Sequence, residues 1–130
     1  MIYDQVVELE KLKKRKLKFE EFGRYSRQLI LPEIGRPGQE NIVSSSVLVI
    51  GCGGLGCPVI QYLAAAGVGR IGLVDFDTVE ISNIHRQVLH NERDKGKEKV
   101  LSGNARISLS YLQPCSGYWK PFLGRKKLSQ

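Results

Sequence analysis

The middle of the chain alternates short apolar runs with a longer amphipathic one, as in a strand, helix, strand unit. Residues 46–50 (SVLVI) form a β-branched run that is typical of a buried parallel strand. Residues 59–66 have an amphipathic helical pattern, and residues 71–74 predict a second strand. Residues 100–112 predict a further helix. Because parallel strands need a crossover between them, the pattern predicts an α/β fold with a Rossmann-like parallel sheet.

The flanking sequence divides the chain into three predicted regions. Residues 1–23 form a basic N-terminal extension whose apolar and charged positions predict an exposed helix leading into the fold. Residues 24–113 hold the βαβ unit, preceded by a helix at 24–28 and a turn-rich connection at 32–38 (PEIGRPG). Residues 114–130 form a basic C-terminal tail.

Glycines follow the first predicted strand in the spacing G-x-G-x-x-G. Gly51 lets the chain turn sharply off the strand, Gly53 lets backbone approach a phosphate, and Gly56 lets the helix lie close to the sheet. Gly54 adds another position without a side chain. The first amides of the helix then face an anion. Asp75 ends the second strand about 20 residues later, where this fold places a ribose-binding carboxylate.

These residues predict a nucleotide site, and the residues beyond Asp75 separate the possible classes. A glycine-rich turn that only packs helix on sheet would leave Asp75 and the polar string after it unexplained. The chain has no G-x-x-x-x-G-K-[ST] motif, which argues against a P-loop NTPase. An NAD-dependent oxidoreductase would use the same glycines, but neither Tyr62 nor Tyr111 begins the Y-x-x-x-K pattern of a small dehydrogenase. This alternative ranks low.

The segment DFDTVEISNIHRQ at 75–87 resembles that of the ATP-dependent activating enzymes of ubiquitin-like proteins, the ThiF/MoeB type. Within this family the chain looks most like the adenylyltransferase-sulfurtransferases that serve the carrier proteins of molybdopterin synthesis and tRNA thiolation. Further matching motifs are RYSRQ at 24–28, GQ at 38–39, GCGGLG at 51–56, QYLAAAGVG at 61–69 and GKEK at 96–99. The resemblance covers residues 24–106, with the motifs in the family's order.

The resemblance implies roles for individual residues. Arg86 and Lys99 are the expected catalytic residues, because cations offset the charge that develops on an α-phosphate. Asp75 is expected to hold the ribose hydroxyls, and Asn83 to bind phosphate beside Arg86. Arg27 matches an arginine that crosses a dimer interface to the partner's triphosphate. The expected nucleotide-binding residues are Arg27, Gly51, Gly53, Gly54, Gly56, Asp75, Ser82, Asn83, Ile84, His85, Arg86 and Lys99.

The implied reaction is adenylylation of the C-terminal glycine of a ubiquitin-like sulfur-carrier protein, supporting sulfur transfer to tRNA, molybdopterin or both. Its cofactors would be ATP and Mg²⁺, its partners the carrier and, in full-length relatives, a second copy in a homodimer. Nucleic acid would be involved only indirectly, since the net charge of +7 comes from basic segments at 11–18 and 120–127. Three cysteines and no apolar run of membrane length favour the cytosol and no membrane partner.

The family pattern fades near Cys115, and several later family elements do not occur. They are the aspartate expected to hold magnesium, the cysteine that handles the activated carrier, the zinc-binding C-x-x-C pairs and the sulfurtransferase domain. The chain is therefore expected to be an N-terminal fragment with a truncated domain and a divergent tail. Whether it is itself an enzyme stays open, and the alternative is a catalytically incomplete ATP-binding or dimerising fragment.

Other polar residues have simpler interpretations. His85 and His90 lack the further ligands of a metal site, so no metal site is predicted. Cys52 and Cys57 flank the glycines and are expected to neighbour backbone rather than metal. Asp77 is expected to be structural or solvated.

Overall fold

The computed structural model describes residues 14–111, which contain five α-helices and two β-strands. In chain order these are α1 (Phe19–Arg24), α2 (Ser26–Leu29), α3 (Gly35–Ser44), β1 (Ser46–Ile50), α4 (Gly56–Ala66), β2 (Arg70–Val74) and α5 (Lys99–Tyr111). Short 3₁₀ turns at Ile81–Asn83 and Glu92–Asp94 lie between β2 and α5. No helix in this part of the chain is long and apolar enough to cross a membrane.

Strands β1 and β2 run parallel, in a register that pairs Ser46 with Arg70 and Ile50 with Val74. Helix α4 makes the crossover between them, so the predicted Rossmann-like βαβ unit is confirmed. The helix ends at Ala66 and is capped by Gly67, whose φ of 96° lies in the left-handed region. A Cβ at this position would lie 2.6 Å from the ring of Tyr25, so both conformation and space require glycine.

One face of the sheet packs against α4 and α5. Side chains from β2, both helices and the segment before α5 share this core. Its buried members are Cys52, Cys57, Ile60, Ala64, Ile71, Leu73, Leu89, Val100 and Ile107. The core therefore holds the ends of β1, α4 and α5 in fixed relation to each other.

The opposite face of β1 is open among the described residues. Leu48 is 59% exposed and Ile50 is 79% exposed, although both are apolar. The prediction of a fully buried strand is therefore wrong for β1. Apolar residues on both faces are typical of a strand covered on both sides, but within residues 14–111 only one face is covered.

The N-terminal helices pack on the C-terminal end of α4. Leu17, Tyr25 and Val43 form a second small core there. The side-chain amide of Gln28 donates to the Gln39 side-chain oxygen at 2.7 Å and to the carbonyl of Ala66 at 3.2 Å. The amide of Gln39 donates to the same carbonyl at 2.9 Å. These bonds give the two glutamines of the RYSRQ and GQ motifs a structural role.

The predicted N-terminal helix is wrong over residues 14–18, which are not helical. The Arg15 amide donates to the hydroxyl of Ser44 at 2.9 Å, and Leu17 is buried, which holds this run against α3. The guanidinium of Arg15 also donates two 2.8 Å hydrogen bonds to the buried carboxylate of Glu21. The helix begins only at Phe19, and residues before 14 lie outside the described part.

The turn-rich connection predicted at 32–38 is also wrong in its second half, because α3 starts at Gly35. Pro37 lies in the first turn of α3, where a missing N–H removes no helical hydrogen bond. The helix predicted at 100–112 is observed as α5, although Leu112 lies beyond the described residues. The predicted boundary of the tail at 114–130 also lies outside them.

Candidate nucleotide-binding site

The glycine loop, residues 51–56, joins β1 to α4. Gly51 has a φ of 103°, and its amide donates to the carbonyl of Val74 at 2.7 Å, which ties the loop to the end of β2. A Cβ on Gly56 would overlap the carbonyl oxygen of Gly51. The chain can therefore make this tight passage from strand to helix only with glycine at both positions.

The start of α4 leaves backbone donors available for an anion. The amide of Cys57 is the first to close a helical turn, donating to the carbonyl of Gly53 at 2.9 Å. Within residues 14–111, the amides of Gly53, Gly54 and Leu55 donate to no backbone carbonyl. Together with the positive end of the helix dipole, these amides form a site suited to phosphate.

Asp75 lies at the end of β2, beside the first turn of the glycine loop. Its Oδ2 accepts the amide of Cys52 at 2.6 Å, and its Oδ1 accepts the amide of Asp77 at 2.8 Å. Each carboxylate oxygen has more than one acceptor position, so a half-buried carboxylate with two backbone donors can still accept ribose hydroxyls. The backbone bonds fix the orientation of this carboxylate before any ligand arrives.

Lys99 is the first residue of α5 and is buried, with 4% exposure. Its ammonium donates to Oδ2 of Asp77 at 3.2 Å, and its backbone amide donates to the carbonyl of Asp77 at 3.0 Å. An antiparallel bridge between Thr78 and Glu98 aligns the GKEK segment with the chain after β2. A solvated surface role for Lys99 is therefore ruled out.

Arg86 lies over the glycine loop, and its side chain is exposed. A Cβ on Gly54 would lie 3.6 Å from the Arg86 Cδ. The guanidinium donates to Oδ1 of Asn83 at 3.0 Å and to Nε2 of His85 at 3.3 Å. The side-chain amide nitrogen of the buried Gln87 lies 3.7 Å from the point that a Cβ on Gly53 would occupy. The polar segment after β2 thus forms one side of the loop.

The other predicted site residues are less directly placed. Ser82 is exposed and donates to the Glu80 carboxylate at 3.5 Å, and Ile84 is half-buried. Arg27 is not brought to this site within the same chain. Its neighbour Gln28 binds the C-terminal end of α4, an 11-residue helix, whereas the glycine loop lies at the N-terminal end, about 16 Å away along the axis.

The structure adds His90, for which the sequence predicts only an ordinary polar position. It is 4% exposed, and its Nε2 lies 2.9 Å from the carbonyl oxygen of Cys52. Its Nδ1 lies 2.9 Å from the hydroxyl of Ser102, which donates to Asp94 at 3.0 Å. The signal in the sequence is the Asp94 carboxylate four residues on, which by itself indicates only an incomplete metal site.

The two cysteines beside the loop are buried and form no disulfide among the described residues. Burial raises the pKa of the Cys52 thiol to about 12, helped by the nearby Asp75 carboxylate. Burial likewise raises the pKa of the Cys57 thiol, whose Sγ donates to the Cys52 carbonyl at 3.3 Å. The Cys57 thiol neighbours backbone, as expected, and buried thiols with a raised pKa are poor nucleophiles.

The described residues do not form a magnesium site. Residues 14–111 contain no group of three or more His, Cys, Asp or Glu side chains that could hold a metal ion. Of the two carboxylates nearest the loop, Asp75 accepts two backbone amides and Asp77 pairs with Lys99.

Residues 25–112 match the model of the ThiF family. The chain belongs to the ThiF family. It is 65% identical over 85 residues to the Adenylyltransferase and sulfurtransferase MOCS3 of Danio rerio, which covers 65% of this chain and 18% of that protein. It is 62% identical over 88 residues to the Bos taurus protein of the same name, covering 68% of this chain and 19% of that protein. The chain thus spans about a fifth of the length of these curated relatives.

Solved structures give the same result for the ThiF-family fold. A crystal structure of PaaA superposes with a TM-score of 0.66 at 33% identity, covering 83% of this chain and 38% of that chain. A crystal structure of E. coli MccB with ATP superposes with a TM-score of 0.60 at 35% identity, covering 66% of this chain and 27% of that chain.

Proposed function

We propose that this ThiF-family chain binds ATP and contributes to adenylylation of the C-terminal glycine of a ubiquitin-like sulfur-carrier protein. The acceptors of the activated sulfur would be tRNA, molybdopterin or both. The observation that carries this proposal is the set of loop amides that donate to no backbone carbonyl within residues 14–111, with Arg86 over the loop and Asp75 bonded to its first turn. The similarity to MccB, crystallised with ATP, supports the choice of nucleotide.

The residues of the site suit attack of a carboxylate on an α-phosphate. A carboxylate oxygen forms a bond to the α-phosphorus, the bond from that phosphorus to the bridging oxygen breaks, and pyrophosphate leaves. Both reactants are anions, so the site must hold them in line and offset their charge. The loop amides bind phosphate oxygens, Asp75 holds the ribose, and Arg86 and Lys99 supply the positive charge. No nucleophilic side chain is needed for this step.

Lys99 is proposed to reach phosphate by exchanging its partner. In the structure its ammonium pairs with Asp77, so ATP binding would replace the Asp77 carboxylate with phosphate oxygens. Arg86 needs no such exchange, because Asn83 and His85 hold its guanidinium at the exposed side of the loop. The two cations therefore have different roles. Arg86 is positioned before ATP binds, whereas Lys99 is paired with Asp77 until phosphate replaces that carboxylate.

Arg27 is proposed to serve the site of a second copy, because α4 separates it from the site of its own chain. A homodimer would bring each Arg27 to the partner's triphosphate. Mixing an Arg27→Ala chain with a Lys99→Ala chain tests this, since one intact site forms only in the mixed dimer. The free thiols of Cys52 and Cys57 suit a reducing compartment, and the cytosol is the proposed location.

The test is carrier-dependent exchange of pyrophosphate into ATP, measured for this chain and for a full-length relative. In the relative, Arg86→Ala and Lys99→Ala are expected to lower exchange at least a hundredfold, as expected for removal of a charge that stabilises the transition state. Arg93→Ala is the matched control, because Arg93 is an exposed arginine outside the site. Full exchange by both site variants would refute the assignment.

A second candidate function is an ATP-binding or dimerising unit without turnover. The observation that favours it is that one face of β1 is open within residues 14–111, where Leu48 and Ile50 are exposed. Calorimetry on this chain separates the two candidates. ATP binding without exchange supports the binding unit, and exchange by the 130-residue chain refutes it.

A further inference from the structure

We propose that His90 is a positioning residue that fixes the direction of the phosphate-binding amide of Gly53. Its effect on ATP rests on the proposed function, but its effect on the loop does not. His90 is buried, and its two ring nitrogens connect the Cys52 carbonyl to the hydroxyl of Ser102, each over 2.9 Å. These partners lie on different elements, the glycine loop and α5.

The hydrogen bond to Cys52 assigns one proton of the ring. A carbonyl oxygen only accepts, so Nε2 of His90 carries the hydrogen in this bond. The Cys52 amide on the other side of the residue is held by Asp75 at 2.6 Å. Cys52 is therefore held at its N–H by Asp75 and at its C=O by His90, and the Cys57 thiol is a weaker second donor to the same carbonyl at 3.3 Å.

Peptide planarity transmits this restraint to the next residue. The Cys52 carbonyl and the Gly53 amide belong to one planar unit, and in a trans peptide they point in opposite directions. A carbonyl held toward the buried imidazole therefore turns the Gly53 N–H away from the core, toward the open side of the loop. That amide is one of the donors without a backbone partner among the described residues.

The other end of His90 connects the loop to α5. Ser102 follows Lys99 by one helical turn, and its hydroxyl donates to Oδ2 of Asp94, which also pairs with Lys97. The ring thus links the loop amides and the helix that starts at Lys99, so the backbone donors and the ammonium keep a fixed spacing.

Two substitutions of His90 separate its two hydrogen bonds. The amide nitrogen of glutamine lies as many bonds from Cα as Nε2 does, whereas that of asparagine matches Nδ1. His90→Gln therefore keeps a donor for Cys52, and His90→Asn keeps a group near Ser102 but loses that donor. Both replacements put an uncharged polar side chain at the same buried position. Each variant is therefore the control for the effect of the other on packing.

The first measurement needs no nucleotide: ¹⁵N relaxation of the Gly53, Gly54 and Leu55 amides in the ligand-free full chain. We expect order parameters of about 0.85 in the original chain and in His90→Gln, and below about 0.6 in His90→Asn. If His90→Asn does not fold, Ser102→Ala, which keeps the ring but removes its other partner, is expected to lower the same order parameters. Unchanged order parameters in folded His90→Asn or, where that variant does not fold, in folded Ser102→Ala would overturn the proposal.

The second measurement compares dissociation constants for ATP and for adenosine. Loss of the Cys52 bond is expected to weaken ATP binding about tenfold and adenosine binding less than twofold, because adenosine has no phosphates to meet the loop. Equal weakening of both ligands would mean a general structural role and overturn the positioning role. If the original chain binds no ATP, the proposed function fails, and the relaxation data still decide the role of His90.

Discussion

Replacing Asp77 with asparagine removes the charge partner of the buried Lys99 and leaves the backbone contacts of both residues in place. The Lys99 ammonium lies 3.2 Å from the carboxylate, with side-chain exposures of 5% for the lysine and 55% for the aspartate. Asparagine has nearly the same shape as aspartate. The backbone N–H of residue 77 can still donate to Asp75, and its backbone carbonyl can still accept the Lys99 amide. The substitution therefore changes charge more than geometry.

The expected loss of stability follows from the burial of the pair. At 3.2 Å and an effective dielectric constant of 20, the direct attraction is about 5 kcal/mol before desolvation is subtracted. Exposed ion pairs contribute roughly 0–1 kcal/mol, and breaking fully buried ones costs about 3–5 kcal/mol. With one side buried and the other half in water, Asp77→Asn is expected to lower the free energy of unfolding by about 2 kcal/mol.

Urea unfolding measures this loss, and calorimetry measures the effect on ATP. If Asp77 only holds Lys99 until phosphate replaces it, Asp77→Asn binds ATP as tightly as the original chain or more tightly. Glu92→Gln is the matched control, because it removes an exposed carboxylate away from the loop and should change neither quantity. A tenfold loss of ATP affinity in Asp77→Asn would refute this reasoning, since it would mean that the carboxylate itself contacts the ligand or its metal.

Three further experiments test the glycine loop and the residues that hold it in place. Gly56→Ala is expected to lower the free energy of unfolding by more than about 2 kcal/mol in urea unfolding, because its Cβ would overlap the Gly51 carbonyl. The Cys52 thiol, with a pKa of about 12, is expected to resist iodoacetamide at pH 8 until the chain is denatured, as followed by mass spectrometry. Since that pKa is raised in the folded state, the contribution of the thiol to stability is complete below the pKa of the unfolded thiol and is lost as pH rises toward 12. Gln39→Leu is expected to cost about 1–3 kcal/mol in urea unfolding, since it removes a buried donor to the Ala66 carbonyl.

Local patterns predicted the βαβ unit well. The β-branched run at 46–50 and the glycines after it mark β1 and the start of α4 within the chain itself, with no information from distant residues. Asp75 could be placed at the end of β2 for the same reason, because its spacing from the glycines reflects the length of one crossover. The resemblance to the ThiF family was confirmed by the match over residues 25–112.

Contacts between distant residues could not be predicted in this way. The exposure of Ile50 depends on what packs on the far face of the sheet, which a strand pattern cannot state. The hydrogen bond from His90 to Cys52 joins residues 38 positions apart, and neither residue type indicates that it forms. The start of α3 was missed because Gly35 and Pro37 usually mark turns, whereas here they occupy the first helical turn.

The Ala66 carbonyl accepts the side-chain amides of both Gln28 and Gln39. It therefore couples the thermal unfolding of the N-terminal helices to that of α4. Within residues 14–111 the N-terminal helices have a small core of Leu17, Tyr25 and Val43, and this junction joins them to α4. Helix α4 in turn carries the glycine loop at its other end. Unfolding should therefore be cooperative across both parts, and a nucleotide bound at the loop would also raise the midpoint temperature of helices it never touches.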